Sequence, residues 1–311
     1  MLIARQLPDL PPSPRGTCVA LGMFDGVHLG HQHVIRAALL DAAHFGARSV
    51  ALTFDPHPLA VVNPARAPRL LQTVPQRLRA IAALGCWATV VVPFTAEFAA
   101  RSGEDFVREL ARGIGPLRSV SVGEGFSFGH RRSGNVPLLQ QLGVELGYAT
   151  HAASPVSIGG ETVSSSRIRE ALRAGRLPEV AELLGRPYAL AGVVQTGEQL
   201  ARRLGFPTAN VAVDGLELPP SGVYAAHVRQ VASGQEHPAV LNLGLRPTVT
   251  PGETRPRLEV HLLDFSGDLY GQEIEVEFAR LLRPEQKFSG LEALQRQIAE
   301  DVVAARRFHG T

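Results

Sequence analysis

The chain is poor in lysine, cysteine and long apolar runs. Lys287 is its one lysine among 31 basic residues, so a permanently charged side-chain contact to a phosphate is expected from arginine. Cys18 and Cys86 are too few and too far apart to indicate a disulfide framework or a zinc site, which suits a reducing compartment. No stretch approaches the roughly 20 apolar residues of a membrane span, and residues 1–16 lack a signal-peptide core. We therefore expect a mature, cytoplasmic protein with no membrane partner.

Size and charge narrow the class further. At 311 residues the chain exceeds what one hydrophobic core usually organises, which favours two domains. The formal net charge of +2 gives no electrostatic reason to expect a nucleic-acid partner. Oligomeric state is not predicted by any feature of the composition.

The N-terminal half alternates strand and helix patterns. Short apolar runs at 17–22 and 49–54 enclose an amphipathic stretch that Gly46 ends, which predicts a βαβ unit. Helical patterns at 75–85 and 104–113 and strand patterns at 88–94 and 119–123 continue the alternation. We expect a Rossmann-like parallel sheet covered by helices, with ligands at the carboxyl ends of its strands.

The C-terminal half has a different period. Apolar runs separated by Gly- and Pro-rich turns begin near Ala189, with the clearest alternation at 274–278, and no helical pattern lies between them. They predict a small antiparallel six-stranded β-barrel followed by a terminal helix that starts near Leu291. Two short helices, broken at Gly175 and Pro178, connect the halves. We place the domain boundary near Gly185, giving domains 1–185 and 186–311.

The stretch "GMFDGVHLGH" (22–31) lies where the first strand turns into a helix. Gly26 and Gly30 permit close approach of a ligand to the backbone, and His28 and His31 are predicted on one side of a helical turn. A helix N-terminus attracts anions, so the pattern favours a phosphate site. The alternative is that one histidine caps the helix and the other is solvated; a metal site is less favoured because no third ligand follows.

Four further motifs accompany it: "TFDPHP" (53–58), "VGEGFSFGHRRSGN" (122–135), "SSSRIR" (164–169) and "LGFPTAN" (204–210). The first stretch with "SSSRIR" resembles the paired motifs of the nucleotidyltransferase superfamily. All five in order resemble the family of bacterial bifunctional riboflavin kinase/FMN adenylyltransferases over nearly the whole chain. The resemblance implies that the barrel phosphorylates riboflavin to FMN, and that the first domain transfers AMP from a second ATP to FMN, giving FAD and pyrophosphate.

The resemblance also implies site residues in the first domain. Those expected to bind ATP are Gly22, Phe24, Asp25, His28, Gly30, His31, Ser164, Ser165 and Arg169, of which His28, His31 and Arg169 are the expected catalytic groups. Those expected to bind the flavin are Phe54, Asp55, Pro56, His57, Pro58, Phe126 and Phe128. Gly125 stands where the family usually has Asn or Asp, and we hypothesise that Arg131 or Arg132 replaces that side chain.

In the kinase half the resemblance implies an ATP and magnesium site. Its expected residues are Gly197, Arg202, Gly205, Pro207, Thr208 and Asn210. Thr208 and Asn210 lie two apart, so in an extended segment their oxygens face the same way and suit Mg²⁺, the expected cofactor with ATP. Glu259 matches the family's candidate general base, and Ala201 stands where glycine is usual.

Each motif also has an ordinary structural interpretation. "SSSRIR" resembles a helix N-cap followed by a solvated arginine, "PTAN" a local turn, and Glu259 an outward carboxylate like Glu275 and Glu277. Two other functions stay open at this point. One is an adenylyltransferase for another acceptor with a non-catalytic barrel, and the other is a flavin- or RNA-binding regulator without activity.

Overall fold

A computed structural model of the chain describes residues 1–196, 204–247 and 254–310. The chain forms two compact units, one of residues 1–69 and 74–165 and the other of residues 70–73 and 166–311. The segment 166–185 belongs to the second unit, whereas the sequence places it in the first domain. The functional boundary near Gly185 stays a prediction.

The first unit is built on a parallel sheet, as predicted, and this sheet has six strands. Its strands are β1 (Leu2–Ala4), β2 (Thr17–Leu21), β3 (Arg48–Asp55), β4 (Ala88–Pro93), β5 (Leu117–Gly123) and β8 (Ala149–Ala153). Their spatial order is β1-β4-β3-β2-β5-β8, with every neighbouring pair parallel. The chain runs outward from β2 through β3 to β4 and then returns to the other side of β2. The topological switch point therefore lies beside β2.

Helices cover both faces of this sheet. The principal ones are α1 (Leu29–Phe45), α3 (Val74–Ala83), α5 (Gly103–Gly113) and α6 (Val136–Leu146). Ala20 and Ala51 face α1 and α3, whereas Leu21 and Leu52 face α5 and α6. Successive residues of a strand point to opposite faces, so the helices of the first face approach small side chains and those of the second pack on larger ones.

Short elements complete the first unit. They are α2 (Pro58–Val62), α4 (Ala96–Ala99), the strand pair β6 (Ser127–Phe128) and β7 (Gly134–Asn135), and the strand pair β9 (Ser157–Ile158) and β10 (Glu161–Thr162). Gly46 ends α1 in the left-handed conformation, as its position after the apolar repeat predicts.

The second unit contains a closed antiparallel barrel of six strands, which confirms the predicted architecture. The strands are β11 (Ala189–Gln195), β12 (Ala209–Val211), β13 (Gly222–Gln230), β14 (Glu236–Pro247), β15 (Thr254–Leu262) and β16 (Glu273–Pro284). They follow the order β11-β12-β15-β14-β13-β16, and β16 pairs with β11 to close the ring. Alternate residues such as Ile274, Val276 and Phe278 are buried inside it.

Within the residues that the structure describes, three helices accompany the barrel. They are α7 (Ser165–Arg173), α8 (Leu177–Leu184) and the terminal α9 (Leu291–His309). Gly175 lies between α7 and α8 at φ +72°, whereas Pro178 belongs to the first turn of α8, where its missing N–H breaks no helical bond. No helix in the described ranges has both the length and the apolar character needed to cross a bilayer.

Candidate active sites

The "GMFDGVHLGH" stretch lies at the carboxyl end of β2, beside the switch point of the first sheet. Open parallel sheets bind ligands in the crevice that forms there. Residues 22–28, which we call the histidine loop, connect β2 to α1, and Phe24 and Val27 have φ of +51° and +40°. Residues other than glycine rarely adopt this backbone conformation, so contacts from the surrounding structure must stabilise the loop.

Gly22 in the histidine loop and Gly30 in α1 leave space for aromatic side chains of the protein. A Cβ on Gly22 would lie 2.7 Å from the Phe24 ring, and one on Gly30 would lie 3.2 Å from the His28 ring. Phe24, expected at the ATP site, is only 1% exposed and directs its ring at His31, 5.5 Å away between centroids. Its side chain therefore supports His31 from within the core.

His28 and His31 meet at the first turn of α1. His28 is the N-cap residue, and its Nδ1 accepts a hydrogen bond from the His31 backbone N–H at 3.3 Å. The two imidazoles stack with centroids 3.6 Å apart. An accepting Nδ1 carries no proton, so the neutral His28 ring holds its proton on Nε2 as a donor. His28 thus caps the helix, as the structural alternative expects, but His31 is half-buried against it and not solvated.

Side chains that sequence reasoning missed hold the histidine loop by its carbonyl oxygens. The Met23 carbonyl accepts from Thr53 Oγ1 at 2.7 Å and from Arg77 at 3.1 Å, and the Val27 carbonyl accepts from Gln32 Nε2 at 3.0 Å. These donors are buried polar residues within otherwise apolar patterns. In the sequence, the one sign of these donors is a polar residue at a position where the pattern expects an apolar one.

The serines and the arginine of "SSSRIR" have separate environments. Ser165 Oγ donates to the Asp25 carbonyl at 3.0 Å, so it fixes the histidine loop, and the Asp25 side chain is only 2% exposed. Ser164 is half-buried just before α7. Arg169 lies on α7 in the second unit and is 8% exposed, so it is not a solvated arginine.

Residues 54–58, which we call the proline loop, follow β3. The Asp55–Pro56 peptide is cis, and Asp55 lies 3.9 Å from the Arg5 guanidinium. His57 caps α2, with its Nδ1 accepting from the Leu59 N–H at 3.1 Å, and Pro58 is the first residue of that helix. His57 therefore adopts the same arrangement as His28, with the proton of its neutral ring on Nε2.

The three phenylalanines expected at the flavin belong to one aromatic cluster. Its members, with neighbouring centroids 5.4 to 5.9 Å apart, are Phe54, Phe94, Phe98, Phe106, Phe126 and Phe128. A cavity of about 350 Å³ adjoins it, lined by Phe98, Phe106, Arg5 and Arg101 among others. The cluster gives the carboxyl edge of the sheet an apolar wall next to basic side chains.

Gly125 lies in a tight turn between β5 and the hairpin of β6 and β7. A Cβ on Gly125 would meet no heavy atom within 4 Å, so a larger side chain has space there. At the hairpin tip Arg131 and Arg132 have φ of +50° and +59°, and Arg132 Nε donates to Ser127 Oγ at 3.0 Å. Both arginines are exposed.

In the described part of the second unit, Thr208 lines two cavities. The first barrel cavity, of about 540 Å³, is lined by Pro207, Thr208 and residues between Phe265 and Tyr270. The second barrel cavity, of about 210 Å³, is lined by Thr208 and Glu259 and by side chains of α9 such as Leu294. Thr208 therefore lies where the contents of the two cavities would meet.

Glu259 stands on β15 in a row of polar residues. Its register partners are Asn210 on β12 and Asn242 on β14. Its Oε1 accepts from Arg257 at 2.6 Å, and Arg257 Nε donates to Asn210 Oδ1 at 3.3 Å. The Glu259 side chain is 18% exposed, about the same as Glu275 at 20% and less than Glu277 at 35%, so its register partners and not its burial set it apart from those carboxylates.

The oxygen ligands expected for magnesium lie at the start of β12. Thr208 precedes β12 and Asn210 lies within it, so "PTAN" is extended and not a local turn. The Pro207 carbonyl contacts His261 Nδ1 at 2.7 Å, and Gly205 has φ +93°. Within the described ranges no three His, Cys, Asp or Glu side chains gather to hold a metal ion. Gly197 and Arg202 lie outside the described residues.

Comparison with known proteins assigns the two halves separately. The family model for FAD synthetase matches residues 10–167, and that for riboflavin kinase matches residues 184–309. A Pseudomonas fluorescens protein named bifunctional riboflavin kinase/FMN adenylyltransferase is 40% identical over 98% of this chain and 97% of its own length. Proteins of the same name from Escherichia coli K12 and Listeria monocytogenes are 36% and 34% identical, over 100% and 93% of this chain and 98% and 91% of their own lengths.

The fold also has a match along the whole chain. A crystal structure named as a macrolide-efflux protein from Streptococcus pneumoniae is 26% identical, covers 98% of both chains and gives a TM-score of 0.81. The efflux role is part of that protein's name, and the likeness supports the architecture of both units. The chain therefore belongs to the family of bifunctional riboflavin kinase/FMN adenylyltransferases, with an FAD synthetase domain toward its N-terminus and a riboflavin kinase domain toward its C-terminus.

Proposed function

We propose that the barrel unit phosphorylates riboflavin and that the sheet unit adenylylates the resulting FMN, with the site residues described above. The observation that carries this proposal is that each unit has its own set of groups suited to a phosphate. The sheet unit has paired histidines at a helix N-terminus, and the barrel unit has Thr208 between two cavities beside Glu259.

In adenylyl transfer an oxygen of the FMN phosphate attacks the α-phosphorus of ATP, and the bond from that phosphorus to the bridging oxygen breaks. Charge then develops on the departing pyrophosphate. The Nε2–H of His28, the His31 ring and the positive end of the α1 dipole stabilise that charge without reorganising, because packing already fixes them. Arg169 donates hydrogen bonds to the departing pyrophosphate. The attacking phosphate is already ionised, so this step needs no general base and no covalent intermediate.

The flavin ring binds against the aromatic cluster. A planar aromatic ligand gains area by stacking on Phe98, Phe126 and Phe128, and the adjoining cavity of about 350 Å³ has room for part of a flavin. The proline loop then lies on the phosphate side, where His57 donates its Nε2–H. Arg131 or Arg132 supplies the contact that the Gly125 position lacks.

In the kinase reaction the terminal ribityl hydroxyl attacks the γ-phosphorus of ATP while ADP leaves. The hydroxyl must lose its proton, and the Glu259 carboxylate accepts it. Arg257 fixes the orientation of that carboxylate through the 2.6 Å contact, and the row of Asn210, Glu259 and Asn242 places it at the second barrel cavity. Riboflavin occupies that cavity and ATP the first one, so that the reacting groups meet beside Thr208.

Magnesium fits the oxygen donors that the barrel offers. Thr208 and Asn210 would hold it together with ATP phosphates, because Mg²⁺ is usually bound by few protein oxygens plus phosphates and water. When bound, it neutralises phosphate charge.

We also propose a cytoplasmic location, which the two buried cysteines, both free thiols, suit. Burial raises the pKa of Cys86 to about 11, and neither thiol has a part in the chemistry.

One incubation separates the candidate functions. Purified protein is mixed with riboflavin, ATP and magnesium, and the flavins are separated by chromatography. Formation of FAD is the expected result. FMN alone would mean that the sheet unit lacks activity toward FMN. An adenylyltransferase for another acceptor with a non-catalytic barrel would leave riboflavin unchanged. Unchanged riboflavin would contradict the kinase assignment.

A further inference from the structure

A buried arginine connects the two loops of the sheet unit. Arg77 projects from α3, and its side chain is fully buried at 0% exposure. Its Nη1 donates to the Met23 carbonyl at 3.1 Å and to the Phe54 carbonyl at 3.0 Å. Met23 belongs to the histidine loop and Phe54 to the proline loop. One rigid guanidinium therefore spans the carboxyl ends of β2 and β3.

Thr53 completes this connection. Its hydroxyl accepts from Arg77 Nη1 at 3.1 Å and donates to the Met23 carbonyl at 2.7 Å. The Met23 carbonyl thus has two donors directly before Phe24, whose φ of +51° is one of the two unfavourable conformations in the loop. Such conformations persist only where the surroundings impose them, and these two donors do so here.

The positive charge of Arg77 also interacts with a carboxylate from each of the two loops. Burial lowers the pKa of the guanidinium, and the nearby carboxylates of Asp25 and Asp55 act in the opposite direction. One carboxylate belongs to each loop. An aliphatic side chain would fill the same volume without the desolvation penalty of a buried cation, so an arginine there indicates a need for its hydrogen bonds and charge.

We infer that Arg77 is a positioning residue for adenylyl transfer, which sets the separation of the histidine loop from the proline loop. This inference rests on the proposed function of the sheet unit. The histidine loop leads to the groups that hold the ATP phosphates, and the proline loop holds the FMN phosphate. Their separation therefore fixes the distance between the attacking oxygen and the α-phosphorus. Arg77 itself touches neither substrate.

The test compares Arg77→Lys with Thr53→Val and with a matched control, Arg48→Lys. Arg48 also donates to backbone carbonyls, those of Pro11 and Pro12, but from the opposite end of β3. Lysine keeps the charge of Arg77 but not its planar fork. Initial rates of FAD formation from FMN are measured over ranges of FMN and ATP. The kinase rate and the melting temperature are measured on the same preparations.

We expect Arg77→Lys to lower kcat for FAD formation at least about 10-fold, because small displacements of reacting groups have large effects on rate. We expect Thr53→Val to lower it less, both variants to change the KM for ATP by a smaller factor, and riboflavin phosphorylation to stay at the wild-type rate. Arg48→Lys should leave both reactions unchanged.

A merely structural role gives a different pattern. It would lower the melting temperature of the variants while kcat per folded molecule stayed at the wild-type value, and that result would overturn the inference. If Arg77→Lys does not fold, Thr53→Val decides by the same criterion. Wild-type protein that makes no FAD would overturn the proposed function of the unit and the role of Arg77 together, whereas active wild type with unaffected variants would overturn the role alone.

Discussion

The two units place their reactive groups on the backbone in opposite ways. In the sheet unit His28 and His31 lie at the end of the irregular histidine loop and the start of α1. Buried side chains such as Thr53 and Arg77 donate hydrogen bonds to the carbonyl oxygens of that loop. In the barrel unit Glu259 and Asn210 stand on regular strands, and the ladder hydrogen bonds fix their places. Geometry in the sheet unit therefore depends on side chains remote from substrate. Geometry in the barrel depends mainly on register, so removal of a reactive side chain there should leave its surroundings in place.

The largest expected effect is loss of the paired-histidine site. His28→Ala and Arg169→Ala should each abolish FAD formation while FMN still accumulates from riboflavin, since each removes a donor that stabilises developing charge, worth about 10²- to 10³-fold in rate. Separation of the flavin products by chromatography measures both outcomes at once.

Helix capping must be separated from catalysis at His28. His28→Asn is the matched control, because asparagine caps helices well but carries no imidazole Nε2–H. His28→Ala should also lose about 1 kcal/mol of stability as the N-cap is removed, whereas His28→Asn should keep the wild-type melting temperature. Retention of FAD synthesis by His28→Asn would mean that His28 acts only as a cap.

Substitution of Glu259 in the barrel should lower the rate of FMN formation almost as much. Glu259→Gln keeps the shape of the side chain and an oxygen for Arg257 but cannot accept the ribityl proton, so FMN formation should fall about 10²- to 10⁴-fold. Adenylylation of supplied FMN should continue at the wild-type rate. Glu275→Gln, on an outward carboxylate paired with Arg229, is the control and should leave both rates unchanged. Loss of both activities in folded Glu259→Gln protein would contradict the comparison between the units.

A smaller effect is expected at the hairpin of the sheet unit. Replacement of Arg131 and Arg132 by alanine should raise the KM for FMN about 10-fold, the loss of one charge-assisted hydrogen bond, with kcat little changed. Gly125→Asn in that background should restore part of the affinity, because the space beside Gly125 accepts a side chain. Unchanged FMN affinity in the double variant would exclude the arginines as the phosphate contact.

The smallest expected effect is a pH dependence of the terminal helix. Burial, and after it the charge of neighbouring His227, lowers the pKa of His309, while its contact to the Ala239 carbonyl acts in the opposite direction. His227 in turn faces Glu277 at 3.4 Å. The unfolded chain then binds more protons at acid pH, so α9 should be less stable as the pH falls below about 6.5.

Amide hydrogen exchange of α9 measured between about pH 5.5 and pH 8 tests this dependence. Protection corrected for intrinsic exchange should decrease toward the acid end. His309→Gln removes the titrating group and should flatten the profile. A dependence that persists unchanged in His309→Gln would assign the effect to another group.

Local patterns predicted the fold well, because each element carries its own period and stop signal. The Ile274, Val276 and Phe278 alternation is confirmed as the inward face of β16, and Gly46 is confirmed as the end of α1. The exact edges differ where a pattern is ambiguous. Pro178 is typical of both a break and a first helical turn, and the structure shows the second.

The candidate sites were predictable in their motifs but not in their supports. Nothing in the spacing of Arg77 indicates that it reaches Met23 and Phe54, because those contacts join residues 54 and 23 positions apart. Likewise, Gly26 and Gly30 predict close approach of a ligand to the backbone, and that expectation stays a prediction. The packed structure adds that a Cβ on Gly30 would lie 3.2 Å from the His28 ring, a contact that the sequence does not reveal.

The most direct test of two separate sites is complementation between variants. His28→Asn and Glu259→Gln proteins are each supplied with riboflavin, ATP and magnesium, alone and mixed, and FAD is measured. We expect neither protein alone to make FAD and the mixture to make it, since FMN released by the intact barrel of one serves the intact sheet unit of the other. Absence of FAD from the mixture, with each protein still performing its own half-reaction, would contradict two independently acting sites.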